Sequence, residues 1–319
     1  MRIRTAVRFA VTGSFALLLA ACIIGARPPS GANLASGVTD GKAVGGPIWS
    51  PDGKELAFTV FDPNFGVGEI FIRNLVTNEA RRILEAEDAS ALAWSPDGKQ
   101  IAYNCVREIC AVDAQGASPP VVLASGQVAA WSPDGKQLAI FDIATEDPWS
   151  YDLKLQDVET GIEHTVLTGL VSEIIDDLAW SPDGTRLAFS LTRGEEARID
   201  NPTNVYIYDP QASTLMPVTS GDNDFHPTWS ANGKQIAYLH LEPGSAKPSV
   251  MISQVANDCK TEVPGIKGVW SIAWSPDGRQ LAYSQPSGIY LLDLAAVFGE
   301  NFLTTGPTCA SATQATATP

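Results

Sequence analysis

Histidine is scarce in this 319-residue chain, which has only His164, His226 and His240. They fall in different settings, and none has a second ligand at zinc spacing. Also missing are a Gly-x-Ser-x-Gly elbow, a His-Glu-x-x-His helix motif and a Gly-x-x-x-x-Gly-Lys-Ser/Thr phosphate loop. The familiar signatures of acyl transfer, zinc hydrolysis and nucleotide chemistry are therefore absent. Basic residues are few as well: 21 Lys and Arg stand against 36 Asp and Glu, for a net charge of −15. That balance argues against nucleic acid and against adsorption to anionic lipid. The longest apolar run, Phe9 to Ala20, is shorter than the roughly 20 residues that a membrane-spanning helix takes.

That run belongs to a processing signal. Arg2, Arg4 and Arg8 precede it, and Leu19-Ala20-Ala21-Cys22 closes it in the pattern of a bacterial lipoprotein box. The expectation is cleavage before Cys22 and acylation of its thiol, with an uncleaved anchor or an ordinary secretion signal as the alternative. Losing residues 1–21 removes three arginines and no acid, so the net charge moves from −15 to −18. Residues 22–33 then read as acylated Cys plus tether, the eleven residues after Cys22 reaching roughly 35 Å when extended. Ile23 follows the lipidated position, so no inner-membrane retention Asp stands there.

What the chain does have is a phrase that recurs. Trp-Ser-Pro-Asp-Gly begins at Trp49, Trp94, Trp131, Trp180 and Trp274, and an altered copy, Trp-Ser-Ala-Asn-Gly, begins at Trp229. The spacings are 45, 37, 49, 49 and 45 residues. A β-type repeat of that period is one propeller blade, and six copies predict an all-β, six-bladed β-propeller with four antiparallel strands per blade. Ser-Pro-Asp-Gly suits a type I turn followed by a left-handed residue, which Gly supplies. After each turn comes an apolar triplet whose middle residue is always Ala: Ala57, Ala102, Ala139, Ala188, Ala237 and Ala282. A small side chain there fits a crowded blade-to-blade contact.

The phrase, continued as Lys-x-Leu/Ile-Ala-Phe/Tyr, resembles the repeat of TolB-like, or PD40-type, six-bladed propellers. The resemblance covers about Leu34 to Gly306 and implies the fold alone, since the family's motif carries no catalytic residue. TolB itself has a small α/β domain before its propeller; only a dozen residues separate Cys22 from Leu34 here, so that domain is not expected. The expected layout is a lipoprotein signal at 1–21, the tether at 22–33, the propeller at 34–307 and a disordered Thr/Ala-rich tail at 308–319. Phe302–Thr305 is the favoured outer strand of the last blade, with Leu34–Ser36 paired nearby or sealing the ring.

Cys22 aside, four cysteines remain for an oxidising compartment, and they allow three pairings. Cys105 and Cys110 flank a hairpin connection, where opposed strands hold Cα atoms at disulfide distance. By elimination Cys259 pairs with Cys309, tying the chain's end to blade five.

Candidate contacts lie in the loops at the face opposite the Trp-Ser-Pro-Asp-Gly turns, where acids concentrate. The expected partner-binding residues are Asp176, Asp177, Asp222, Asp224, His226, Trp149 and Trp270. An acidic rim with aromatics suits a basic peptide, a cationic protein surface or a sugar; solvated loop acids and locally packed aromatics are the plainer reading. Asp222, Asp224 and His226 are also the metal candidates, for calcium or another divalent ion, although an Asx-capped turn explains the same residues. No other cofactor is expected. The chain thus reads as a monomeric, lipid-anchored extracytoplasmic module, in the periplasm or at the cell surface, that binds an envelope protein or peptide without catalysis. A metal-dependent hydrolase or lactonase, and a small-ligand receptor, are the alternatives.

Overall fold

The computed structural model describes residues 31–39, 41–62, 67–87, 89–146, 149–171, 177–192, 202–220, 223–257 and 259–308. The expected tail after Thr308 and all but the last residues of the tether lie outside them. Blade one comprises β1 (Ala43–Trp49), β2 (Glu55–Phe61), β3 (Val67–Asn74) and β4 (Ala80–Glu87). Blade two comprises β5 (Ser90–Trp94), β6 (Gln100–Asn104), β7 (Glu108–Asp113) and β8 (Val121–Ser125). Blade three holds β9 (Val128–Trp131), β10 (Gln137–Glu146), β11 (Trp149–Asp157) and β12 (Glu163–Val171). Blade four holds β13 (Ala179–Trp180), β14 (Leu187–Thr192), β15 (Thr203–Asp209) and β16 (Thr214–Pro217). Blade five runs through β17 (Asn223–Trp229), β18 (Gln235–Leu241), β19 (Ser249–Gln254) and β20 (Lys260–Lys267). Blade six has β21 (Ser271–Trp274), β22 (Gln280–Gln285) and β23 (Gly288–Asp293), and two short helices follow, α1 (Leu294–Phe298) and α2 (Phe302–Thr305). Each sheet is an antiparallel meander in chain order. No helix among the described residues is long and apolar enough to cross a membrane.

The repeated phrase builds the first turn of every blade in the same way. In blade one, Gly53 N–H donates to the Ser50 carbonyl at 2.9 Å, and Gly53 takes φ +69°. Ser50 Oγ donates to Asp52 Oδ1 (2.7 Å) while accepting from Glu55 N–H (2.9 Å). Asp52 Oδ1 also accepts from Lys54 N–H at 3.1 Å. The other five blades repeat these bonds, with Asn232 Oδ1 standing in for the carboxylate in blade five. Because the serine hydroxyl and a backbone N–H both point at the carboxylate, Asp52, Asp97, Asp134 and Asp183 are held below the usual carboxylate range. They are turn residues, as their repetition implies.

Neighbouring turns also touch. A Cβ placed on Gly98 would lie 4.0 Å from the Pro51 ring of the preceding blade, and the same relation joins Gly135 to Pro96, Gly184 to Pro133 and Gly233 to Pro182. Gly53 faces Pro276, which closes the circle. Tryptophan indoles carry the same closure, with Trp49 Nε1–H donating to the Ala273 carbonyl at 3.1 Å and Trp180 and Trp229 reaching Ala130 and Ala179. The six middle alanines are at most 1% exposed, confirming that blade faces meet there without room for a larger side chain. Each stripe of Leu, Ile, Phe and Tyr on the second and third strands buries between two blades, so the core is a ring of interfaces rather than one centre.

Blade six departs from expectation. Phe302–Thr305 forms α2 rather than an outer strand. The outer position beside β23 goes to the N-terminal segment: Leu34 N–H donates to the Ile289 carbonyl at 2.8 Å, and Asn33 Nδ2–H to Ser287 O at 2.8 Å. Asn33 Oδ1 accepts from Ile289 N–H, and a Cβ on Gly31 would lie 3.8 Å from Leu291 O. Residues 31–34 thus run antiparallel to β23. Arg73 of β3, 5% exposed, then ties this segment to blade one, donating to the carbonyls of Leu34 (2.7 Å), Ser36 (2.8 Å) and Asn78 (2.7 Å). The reason the C-terminal segment loses is its other contacts. Phe302 and Leu294 bury in the blade five–six core, and Gln254 Nε2–H donates to the carbonyls of Thr305 and Pro307 beneath blade five.

The altered turn of blade five belongs to the same device. Asn232 Nδ2–H donates to the Leu303 carbonyl at 3.2 Å, a bond that an ionised aspartate has no proton to make. Cys105 and Cys110 are joined as a disulfide with Cα atoms 5.9 Å apart. Cys259 is disulfide-bonded too, and Cys309 lies outside the described residues.

Candidate functional site

In this fold the connections between second and third strands and those between blades share one end of the ring, the mouth face. The Trp-Ser-Pro-Asp-Gly turns share the other. Two clefts of about 350 and 320 Å³ open on the turn face, one between the turns of blades three and four and one between those of blades one and six. They are bounded by motif residues common to the blades, so they distinguish no site.

The mouth face differs from blade to blade, beginning with the inner strands. Three residues before the motif Trp stand Gly46, Ala91, Val128, Asp177, His226 and Ser271. At Gly46, Ala91 and His226 the strand bulges and the residue takes positive φ, +58°, +48° and +54°. Gly adopts that conformation freely, whereas a His there is uncommon and must be held by its surroundings. What holds it is the neighbouring blade: His226 N–H donates to Asp177 Oδ2 at 2.6 Å.

Asp177 is 7% exposed and has further partners in its own blade, accepting from Ser190 N–H (2.8 Å) and Ser190 Oγ–H (2.6 Å). The His226 ring stands edge-on to Phe225, with its Nδ1 4.0 Å from the same carboxylate. Asp224, 3% exposed, pairs with His240 Nδ1 at 2.7 Å across β17 and β18. Buried carboxylates with this many partners stay where they are, because leaving any donor unmatched costs more than the bond gains.

Of the seven residues expected to contact a partner, the structure joins Asp177 directly to His226. It commits Asp224 to His240 instead, so these two acids brace blades four and five rather than forming an exposed rim. Trp270, half-buried, precedes β21 and donates its backbone N–H to the Ser284 carbonyl. Trp149 opens β11 opposite Glu146. Asp176 and Asp222 lie outside the described residues, and with Asp222 goes one of the three metal candidates. Among the described residues, the one cluster of potential metal ligands is Cys105, Glu108 and Cys110, and its sulfurs are spent in the disulfide.

Ser190 and His240 are partners that sequence did not reveal; pairing register alone puts His240 across from Asp224. Arg73 was equally hidden, although an Arg ending an apolar third strand is the kind of residue that must find acceptors.

Comparison with known proteins agrees with this architecture. The WD domain, G-beta repeat model matches residues 257–285. The uncharacterized peptidase YuxL of Bacillus subtilis is 28% identical over 118 residues, covering 36% of this chain; the chain spans only 17% of that relative's length. Among solved structures, TolB from Acinetobacter baumannii superposes with TM-score 0.64 at 21% identity, over 76% of this chain and 61% of that one. Oligogalacturonate lyase from Vibrio parahaemolyticus superposes with TM-score 0.54 at 16% identity, over 78% and 74%. The chain has a six-bladed β-propeller fold, which these solved structures share under different names.

Proposed function

We propose that the chain is a lipid-anchored, extracytoplasmic propeller that binds a protein or peptide of the cell envelope at its mouth face without catalysing a reaction. The observation that carries this reading is the use made of the ionisable groups at the mouth. Asp177 is consumed by Ser190 and His226, and Asp224 by His240. These bonds hold both carboxylates inside the ring, where they shape and stiffen a surface. Such a surface recognises by fit, with the loop acids around it drawing in a cationic partner. The anchor is Cys22, read from the lipoprotein box.

The test is crosslinking and co-purification of the lipidated protein from its own membranes. A companion variant carries Trp149→Ala, Asp176→Ala, Asp222→Ala and Trp270→Ala, with the buried Asp177 and Asp224 left intact so that the ring still folds. A partner captured by the native protein and lost from the variant supports the reading; the same partner on both removes the mouth as the binding face. The similarity to YuxL motivates one alternative, a hydrolase. Peptide or ester turnover by the purified chain, stimulated by a divalent cation and abolished by the same variant, would favour it.

A further inference from the structure

On the mouth face, the tip of blade two holds a conformation that its residues do not favour. Between β6 and β7 the chain reverses through Val106 and Arg107, at φ +58° and +67°, and Cys105 N–H donates to the Glu108 carbonyl at 2.9 Å. A two-residue hairpin turn with both central φ positive is built best by Asn-Gly, and a β-branched residue there is an outlier. Here neither position is Gly or Asn. What crosses the base of the turn is the Cys105–Cys110 disulfide, between cysteines five positions apart. Closing so short a loop restricts the unfolded chain less than closing a long one, so the contribution of this bridge is chiefly local.

The clamped turn in its turn holds the connection to blade three. The Arg107 carbonyl accepts from Gly126 N–H at 3.0 Å, and Glu108 pairs with Ser125. Gly126 has no latitude, since a Cβ there would run into Ile140. The next residue, Gln127, donates its N–H to the Phe141 carbonyl (2.8 Å) and accepts from Asn104 Nδ2–H (2.9 Å).

From these contacts we infer that the Cys105–Cys110 bridge is a redox-controlled latch on the mouth face: opened by a dithiol, it frees the blade-two hairpin and loosens the connection to blade three. That partner binding follows the latch rests on the binding reading above. The bridge is reachable, because Cys105 is half-buried beside exposed Val106, Arg107 and Glu108, whereas Cys110 is 7% exposed. The attacking thiolate therefore takes Cys105 Sγ, and Cys110 Sγ leaves as a thiolate. The second thiol of the reagent, deprotonated, then attacks the reagent sulfur of the mixed disulfide and releases Cys105. Two electrons and two protons pass to the protein, and the dithiol ends as a disulfide. Without the clamp, Val106 and Arg107 return to negative φ and the Arg107 carbonyl leaves Gly126.

The experiment follows hydrogen exchange by mass spectrometry in the full chain. It compares the native protein, the native protein under dithiothreitol, and Cys105→Ser with Cys110→Ser, which removes this bridge and spares that of Cys259. The expected result is exchange roughly tenfold or more faster at the amides of positions 105 and 126 in both opened forms. The rise at Gln127 should be smaller, because its N–H is held by β10. Adding Val106→Asn and Arg107→Gly to the serine pair supplies a turn that needs no clamp, and should return exchange to the native rate. Unchanged exchange in the serine pair, a bridge that dithiothreitol leaves closed in the folded chain, or no rescue by the two turn substitutions overturns the latch. Crosslinked capture of a membrane partner reads the link to binding. It should fall about threefold or more in the serine pair and recover with the turn substitutions. Capture unchanged while exchange rises overturns that link. A native chain that captures nothing ends the binding reading and the link with it, and the latch then stands or falls on exchange alone.

Discussion

On the turn face, six copies of one phrase make the same hydrogen bonds; on the mouth face, the same six inner strands begin in six different ways. The turns vary only where something else docks, as Asn232 does against Leu303. The mouth varies in side-chain size, charge and even backbone conformation, from Gly46 to His226. The difference teaches where constraint comes from. A turn that must stack on its neighbour has one workable solution repeated around a circle, and loops that stack on nothing are free to acquire a specific task.

The contrast has an exception, and breaking it gives the largest expected effect. Asp177 lies on the variable face yet is as structural as any turn. Asp177→Ala strips the acceptor from Ser190 N–H, Ser190 Oγ–H and His226 N–H, and should cost about 3–5 kcal/mol in chemical denaturation. Unchanged stability would return Asp177 to the pool of binding residues.

Next in size, Arg73→Met should cost about 1–3 kcal/mol by removing the buried guanidinium that donates to three carbonyls. Hydrogen exchange would show the loss concentrated at 34–36 and β23, where blades one and six meet. A uniform loss around the ring would contradict the closure described here.

The sameness of the turns is tested by serine. Ser95→Ala, Ser132→Ala and Ser181→Ala each remove one hydroxyl bonded to Asp and to a backbone N–H, and each should cost about 1–2 kcal/mol, alike within experimental error. The reciprocal exchange in blade five, Asn232→Asp, should cost about 1 kcal/mol because a carboxylate would face the Leu303 carbonyl. Asp97→Asn, with no such neighbour, should cost less.

Smallest per residue is the effect of pH. The turn aspartates are held below their ordinary pKa, first by the serine hydroxyl and then by backbone N–H. The folded state thus binds these protons less readily than the unfolded chain. The stabilisation is complete above the ordinary carboxylate pKa and is lost as pH falls below it, through the depressed values. Urea midpoints should fall on acidification below about pH 4, and the Ser→Ala variants should show a shallower fall. A midpoint insensitive to acid would mean that the turn carboxylates contribute little.

Much of this was legible in the order of residues. Ser-Pro-Asp-Gly is a local device whose bonds span at most five residues, so reading the phrase was reading the turn. Cys105 and Cys110 are similarly local. The mouth was legible only as a list of loop acids. Asp177 and Asp224 belong to that list by sequence and leave it in three dimensions, because the partners that bury them are Ser190, His226 and His240, from 13 to 49 positions away.

The sequence by itself determined the number of blades, their turns and the small alanine at each blade contact, since a period repeated six times states its own rule. Only the tertiary structure decided how the circle closes. Two terminal segments of similar apolar character competed for one sheet edge. Leu34 took it because Arg73 and Ile289 offer partners there, while Phe302 found a deeper hydrophobic site under blades five and six. Such a choice compares contacts among residues more than 200 positions apart, and no local pattern encodes that comparison.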